Sequence, residues 1–123
     1  MAQKSNPVDP GSDEAKDIRK AFAEAVNMTT QQIEDWLDTD ESKSVGQAGG
    51  AGGETVGRDS AKRIVAILDK KVADLTAEDI GHMKKTNGYV ARHLQQRPDK
   101  SEDELAEADW TYSLRNWGHD PLK

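Results

Sequence analysis

The run Asp74-Leu75-Thr76-Ala77-Glu78-Asp79-Ile80 decides the fold. Thr76 followed three residues later by Asp79 is the spacing of a reciprocal N-terminal cap, and Leu75 and Ile80 flank it as a hydrophobic staple. Beyond it Ile80, Met83, Val90, Ala91 and Leu94 recur at helical spacing. Pro98 disfavours helix at the residue before it. The pattern predicts a long helix from Ala77 to about Gln96.

Working outward, the same grammar repeats. Upstream, Ala61, Ile64, Val65, Leu68 and Val72 share one face and predict a helix from about Asp59 to Lys71. Further back, Ser12 can cap a helix from Asp13 to about Asn27, with Ala15, Ile18, Phe22, Ala25 and Val26 as its apolar stripe. Thr29 and Gln32 form a capping box for a short helix that would bury Ile33, Trp36 and Leu37. Downstream, Ser101 and Glu104 can cap a short helix carrying Leu105 and Ala108. Trp110, Leu114 and Trp117 then begin a new stripe that Gly118 ends. No strand-like alternation and no internal repeat interrupts this. The expected fold is all-α, a compact bundle of four to five short helices.

Residues 38–57 read as a flexible loop inside that bundle, because Gly46-Gln47-Ala48-Gly49-Gly50-Ala51-Gly52-Gly53 cannot offset the entropy of a fixed helix or strand. It is not a phosphate-cradling Walker loop, which needs Gly-Lys-Ser/Thr before a helix and a strand in front. Residues 1–12, with Pro7, Pro10 and Gly11, read as a disordered amino end, and 13–123 as a single helical domain. Twenty of the 123 residues are Leu, Ile, Val or Phe, so the core is small. With no cysteine, disulfides and thiolate metal sites are excluded. The polar start lacks the apolar stretch of a signal peptide, and Ile64-Val65-Ala66-Ile67-Leu68 is too short to span a bilayer. A cytoplasmic protein without membrane attachment is expected.

The net charge of −6 conceals a segregation. Residues 56–97 hold nine Lys/Arg against five Asp/Glu, a net of +4, between flanks that net −6 and −4. Arg63 and Lys70 fall opposite the core stripe of their helix, and Lys85 and Arg92 share a stripe on the next, with Tyr89 between them. Cations two turns apart with an aromatic between them suit a phosphate backbone. Two such helices joined by a turn of about three residues would resemble a helix-turn-helix element. Most such faces are simply solvated, and +4 is weak beside an autonomous DNA binder.

Other features read as structural. Gly81 and Gly88 lie on one stripe, where a neighbouring helix or a ligand could approach. Asn87 falls inside the apolar stripe and needs partners, for which the C-terminal segment is the expected source. His82 and His93 are eleven residues apart, about 16 Å along a helix, so they cannot share a metal. The acidic run Glu102, Asp103, Glu104 and Glu107 could fold over the basic face and mask it. Trp110, Tyr112 and Trp117 are expected to lock the tail to the core. No nucleophile elbow, zincin motif or dinucleotide fingerprint is present, so neither an enzyme nor a cofactor is expected.

A set of segments extends this reading: Trp36-Leu37, Arg63-Ile64-Val65, Asp74-Leu75-Thr76, His82-Met83-Lys84-Lys85, Gly88-Tyr89-Val90, Arg92-His93-Leu94, Tyr112-Ser113-Leu114 and the closing Asn116-Trp117-Gly118-His119-Asp120-Pro121. Together they resemble a domain-of-unknown-function family of small bacterial proteins, with members in some fungi. The resemblance covers roughly Ile33 to Lys123. Some members carry the label of DNA-binding protein, which is all the resemblance implies about function; it implies no cofactor and no site residues. The expectation is a non-catalytic DNA-binding protein, using Arg63, Lys70, Lys85 and Arg92 on phosphates and Tyr89 as an accessory contact. Dimerisation would strengthen so small a patch. The alternative is a helical protein–protein interaction module.

Overall fold

Four side-chain caps set the helix starts. Ser12 Oγ accepts from Ala15 N at 3.1 Å, and Thr29 and Gln32 exchange side-chain and backbone bonds at 3.1 and 3.0 Å. Thr76 and Asp79 do the same at 3.1 and 3.0 Å, and Ser101 and Glu104 at 3.3 Å each way. Each satisfies donors that a helix start leaves without partners. In the computed structural model, which describes residues 7–44 and 56–122, these caps open α1 (Asp13–Ala25), α2 (Thr30–Leu37), α5 (Ala77–Gln95) and α6 (Glu102–Leu105). The remaining helices are α3 (Asp40–Ser44), α4 (Val56–Leu68) and α7 (Asp109–Asn116), with a 3-10 turn at Val72–Asp74. The described residues hold no strand, so the all-α expectation holds, with seven α-helices instead of four to five.

α1 and α5 pack along each other in parallel. Val8 N donates to the Ala77 carbonyl, Lys84 pairs with Glu14, and Asn87 Nδ2 donates to the Ile18 carbonyl at 3.1 Å. The two numbers rise together along both helices. Asn87 thus bonds α1, not the C-terminal segment expected for it. Of the amino end read as disordered, residues 7–12 are described: Val8 is buried and Ser12 Oγ donates to the Asp9 carbonyl.

Two apolar clusters make the core. The larger joins Ile18, Phe22, Ile33, Ile64, Ile80 and Met83 with their neighbours; the smaller joins Val90, Leu105, Trp110, Leu114 and Trp117. Burial of such side chains contributes about 1.5–3 kcal/mol each. Several expected core positions lie outside both clusters: Ala91 is exposed, and Leu68 is 38%, Val72 64% and Leu94 39% exposed. α4 ends at Leu68, and the 3-10 turn takes Val72 off the helical wheel that had aligned it with Ala61 and Ile64. Ile67 is buried instead.

The region read as a loop over 38–57 divides. Thr39 Oγ1 accepts from Ser42 N at 3.1 Å and donates to the Trp36 carbonyl at 2.6 Å, which starts α3 within it. α4 begins at Val56, three residues ahead of the expected start. Residues 45–55, with the glycine run, lie outside the described residues.

The tail closes the bundle. Gly118 has φ +79°, and a Cβ there would come within 3.1 Å of Val26 Cγ1. Its carbonyl accepts from Met28 N at 3.3 Å. Asn27 Nδ2 donates to the Asp120 carbonyl at 3.0 Å while Asp120 N donates to Asn27 Oδ1 at 2.7 Å. His119 Nδ1 bonds the Ala25 carbonyl at 2.7 Å. The closing run is a clasp between the end of α7 and the α1–α2 junction. Trp110 and Trp117 are buried in the smaller cluster, in line with the expected lock.

Candidate functional site

α4 and α5 bring together two of the expected cations. Arg63 and Lys85 are half-buried, and neither forms an ion pair among the described residues. Burial, and then the Arg63 charge beside it, hold the Lys85 ammonium below its ordinary range. Both charges act on His82, which is 1% exposed, with its Nε2 hydrogen-bonded to Ser60 Oγ at 2.9 Å. Burial, reinforced by Arg63 and Lys85, lowers His82 to about 4, so the imidazole is neutral near pH 7.

From His82 runs a ladder of four nearly parallel rings. The His82 and Trp117 centroids are 6.1 Å apart at 13°. Trp117 and Tyr89 follow at 4.3 Å and 15°, then Tyr89 and His93 at 4.8 Å and 17°. Tyr89, one of the expected contacts, is thus largely committed to stacking. Burial raises its hydroxyl, against a hydrogen bond with Ser113 and the charge of Arg92. Arg92 itself is exposed, and its Nη1 lies 3.2 Å from where a Cβ on Gly88 would stand. At Gly88, then, the missing side chain makes room for the helix's own arginine, not for a neighbouring helix.

Lys70 is not part of this group. Its ammonium pairs with Asp79 Oδ2 at 2.6 Å, the oxygen that also accepts from Thr76 N. Burial raises the Asp79 carboxyl, but the Lys70 and Thr76 bonds outweigh it and hold it low. α4 has ended before Lys70, so the seven-residue spacing from Arg63 no longer aligns the two. The connection 69–76 is eight residues long, unlike the three-residue turn of a helix-turn-helix element. Nor do Glu102, Asp103, Glu104 and Glu107 mask the cations: among the described residues none of them forms an ion pair, and Glu104 serves the α6 cap.

Two features were not read from the sequence. Arg58, just past the expected loop, is 8% exposed and donates to the Leu37 carbonyl at 2.7 Å and Ser42 Oγ at 2.9 Å. Nothing local marks an arginine as inward-facing. The ring ladder joins residues on α5 to Trp117 after α7, so no periodicity exposes it. Its one local trace is the Tyr89–His93 spacing of four. Among the described residues no group of three or more His, Asp or Glu could hold a metal ion. None of the described helices is long and apolar enough to cross a membrane.

The architecture defines a small all-helical protein closed by its own tail, with an unpaired cation pair beside a ring stack. The chain belongs to the DUF3140 family, described as a protein of unknown function, whose model matches residues 21–115. The match begins before the expected Ile33 and stops ahead of the closing run 116–121. No curated protein and no solved structure matches the chain.

Proposed function

We propose that the protein binds DNA through its phosphates, with Arg63, Lys85 and Arg92 as the positioning cations and Tyr89 as an accessory contact. The observation that carries this is the Arg63–Lys85 pair: two like charges on different helices, each half-buried and neither in an ion pair among the described residues. Such a pair costs stability, and a bridging anion relieves it. A phosphate accepts bidentately from Arg63 and takes Lys85 as a point charge. The reading is non-catalytic and carries no sequence specificity, since phosphate contacts position without reading bases. It implies a cytoplasmic protein that works as a dimer where tight binding is needed.

Anisotropy of a labelled duplex at two salt concentrations tests it. Three phosphate contacts give a salt slope of roughly −3, so affinity falls about 40-fold from about 50 to about 200 mM salt. A folded protein that leaves the duplex free at the lower salt contradicts the reading.

A second reading has its own support. Trp36 and Tyr112 meet at 5.5 Å on a half-buried face, with the Arg115 guanidinium 5.3 Å from the Trp36 ring centroid. Trp, Tyr and Arg are the residue types that dominate protein interfaces. A partner held there would respond little to salt.

A further inference from the structure

The ladder has two unlike ends. At one end His82 is buried and bonded to Ser60. At the other, His93 is half-buried: Tyr89 stacks on one of its faces, and among the described residues no other ring pairs with it. The backbone beneath that terminal ring is tied down. The Trp110 indole Nε1 donates to the His93 carbonyl at 2.7 Å, and the Tyr89–Trp117 stack backs the ring from behind. Two cations are near in the chain: Arg92 is the preceding residue, and the Arg97 guanidinium lies 5.9 Å from the ring centroid of Trp110, the residue bonded to the His93 carbonyl. Neither forms an ion pair among the described residues.

A half-exposed ring at the end of a stack, with cations nearby to track a backbone, is an arrangement that suits single strands. A base inside a duplex has both faces occupied by its neighbours, whereas an unpaired base can offer one. We infer that His93 extends its ladder onto an unpaired base of single-stranded DNA, with Arg92 and Arg97 on the flanking phosphates. This rests on the DNA-binding reading and narrows its ligand. Gly88 has a place in it, because the guanidinium folded against that position is the one that would meet the phosphate. Burial also holds the His93 imidazole below its ordinary range, so near neutral pH the ring stacks uncharged.

The test compares a labelled twenty-nucleotide thymidine strand with a twenty-base-pair duplex, by anisotropy at about 50 mM salt. The single strand binds at least about five-fold tighter, the lower end of what one stacked base contributes. His93→Ala, shown by its melting to be folded, loses that preference and leaves duplex affinity unchanged; His93→Phe, which keeps a flat ring, restores it. Equal affinity for the two DNAs, or a single-strand preference that survives His93→Ala, overturns the inference while duplex binding stands. Wild-type protein that binds neither DNA overturns the DNA-binding reading and this inference together.

Discussion

Trp36 and Asn116, eighty positions apart, meet side chain to side chain: the indole Nε1 donates to the amide Oδ1 at 2.8 Å. The same oxygen accepts from Ser42 Oγ at 2.6 Å, and Asn116 Nδ2 donates to the Ser42 carbonyl at 3.2 Å. Ser42 Oγ in turn accepts from Arg58. One fully buried amide thereby ties α2, α3 and α4 to the end of α7. Asn116→Ala leaves the buried Ser42 hydroxyl and the Trp36 indole without this acceptor, at about 1–3 kcal/mol for each group left unsatisfied. Urea unfolding should show a loss of at least about 2 kcal/mol. A midpoint within error of wild type contradicts the network's role.

Gly118 should tolerate no side chain. Its positive φ costs an L-residue about 1–2 kcal/mol, and a Cβ would press on Val26 Cγ1. Gly118→Ala lowers the melting temperature, and Gly118→Val lowers it further. An unchanged melting temperature for the alanine variant refutes the clasp as a source of stability.

Acid should weaken the fold before the carboxylates titrate. The unfolded chain takes up a proton on His82 near 6.5, whereas the folded chain waits until about 4. Between those values the unfolded state binds more protons, so stability falls as pH falls. The contribution is complete above 6.5, and about 2 kcal/mol of it is gone by pH 5. His93, also held low by burial, acts in the same direction. Urea midpoints at pH 7.5 and pH 5 should fall in wild type and much less in His82→Gln, which keeps a partner for Ser60. Equal losses in both proteins would show that acid acts elsewhere.

Lys70 should matter little to DNA. It is 37% exposed and paired with the α5 cap, so Lys70→Gln costs below about 1 kcal/mol of stability after allowance for solvent screening. Its effect on duplex affinity stays smaller than that of Lys85→Gln. The reverse order would return Lys70 to the binding face.

How much of this was legible follows from the range of each interaction. The caps at Thr29, Thr76 and Ser101 span three residues, so sequence spacing alone reveals them. The burial of Ser42 depends on Arg58 and Asn116 reaching it from α4 and α7, and no local pattern encodes that. Lys70 was misplaced because the helical wheel was extended past Leu68, where the helix stops. Arg63 and Lys85 are legible as surface cations, but their convergence, and the neutral histidine on which both act, are tertiary facts. The stacking of His93 is not legible either, because its ladder depends on Trp117 reaching Tyr89 from beyond α7.

The most direct measurement is duplex affinity, by anisotropy at about 50 mM salt, of wild type against the Arg63→Glu/Lys85→Glu double variant. Both proteins are first confirmed folded by their melting. The account predicts salt-sensitive binding by wild type and none by the variant. Equal binding by the two proteins would contradict it, and so would no binding by wild type.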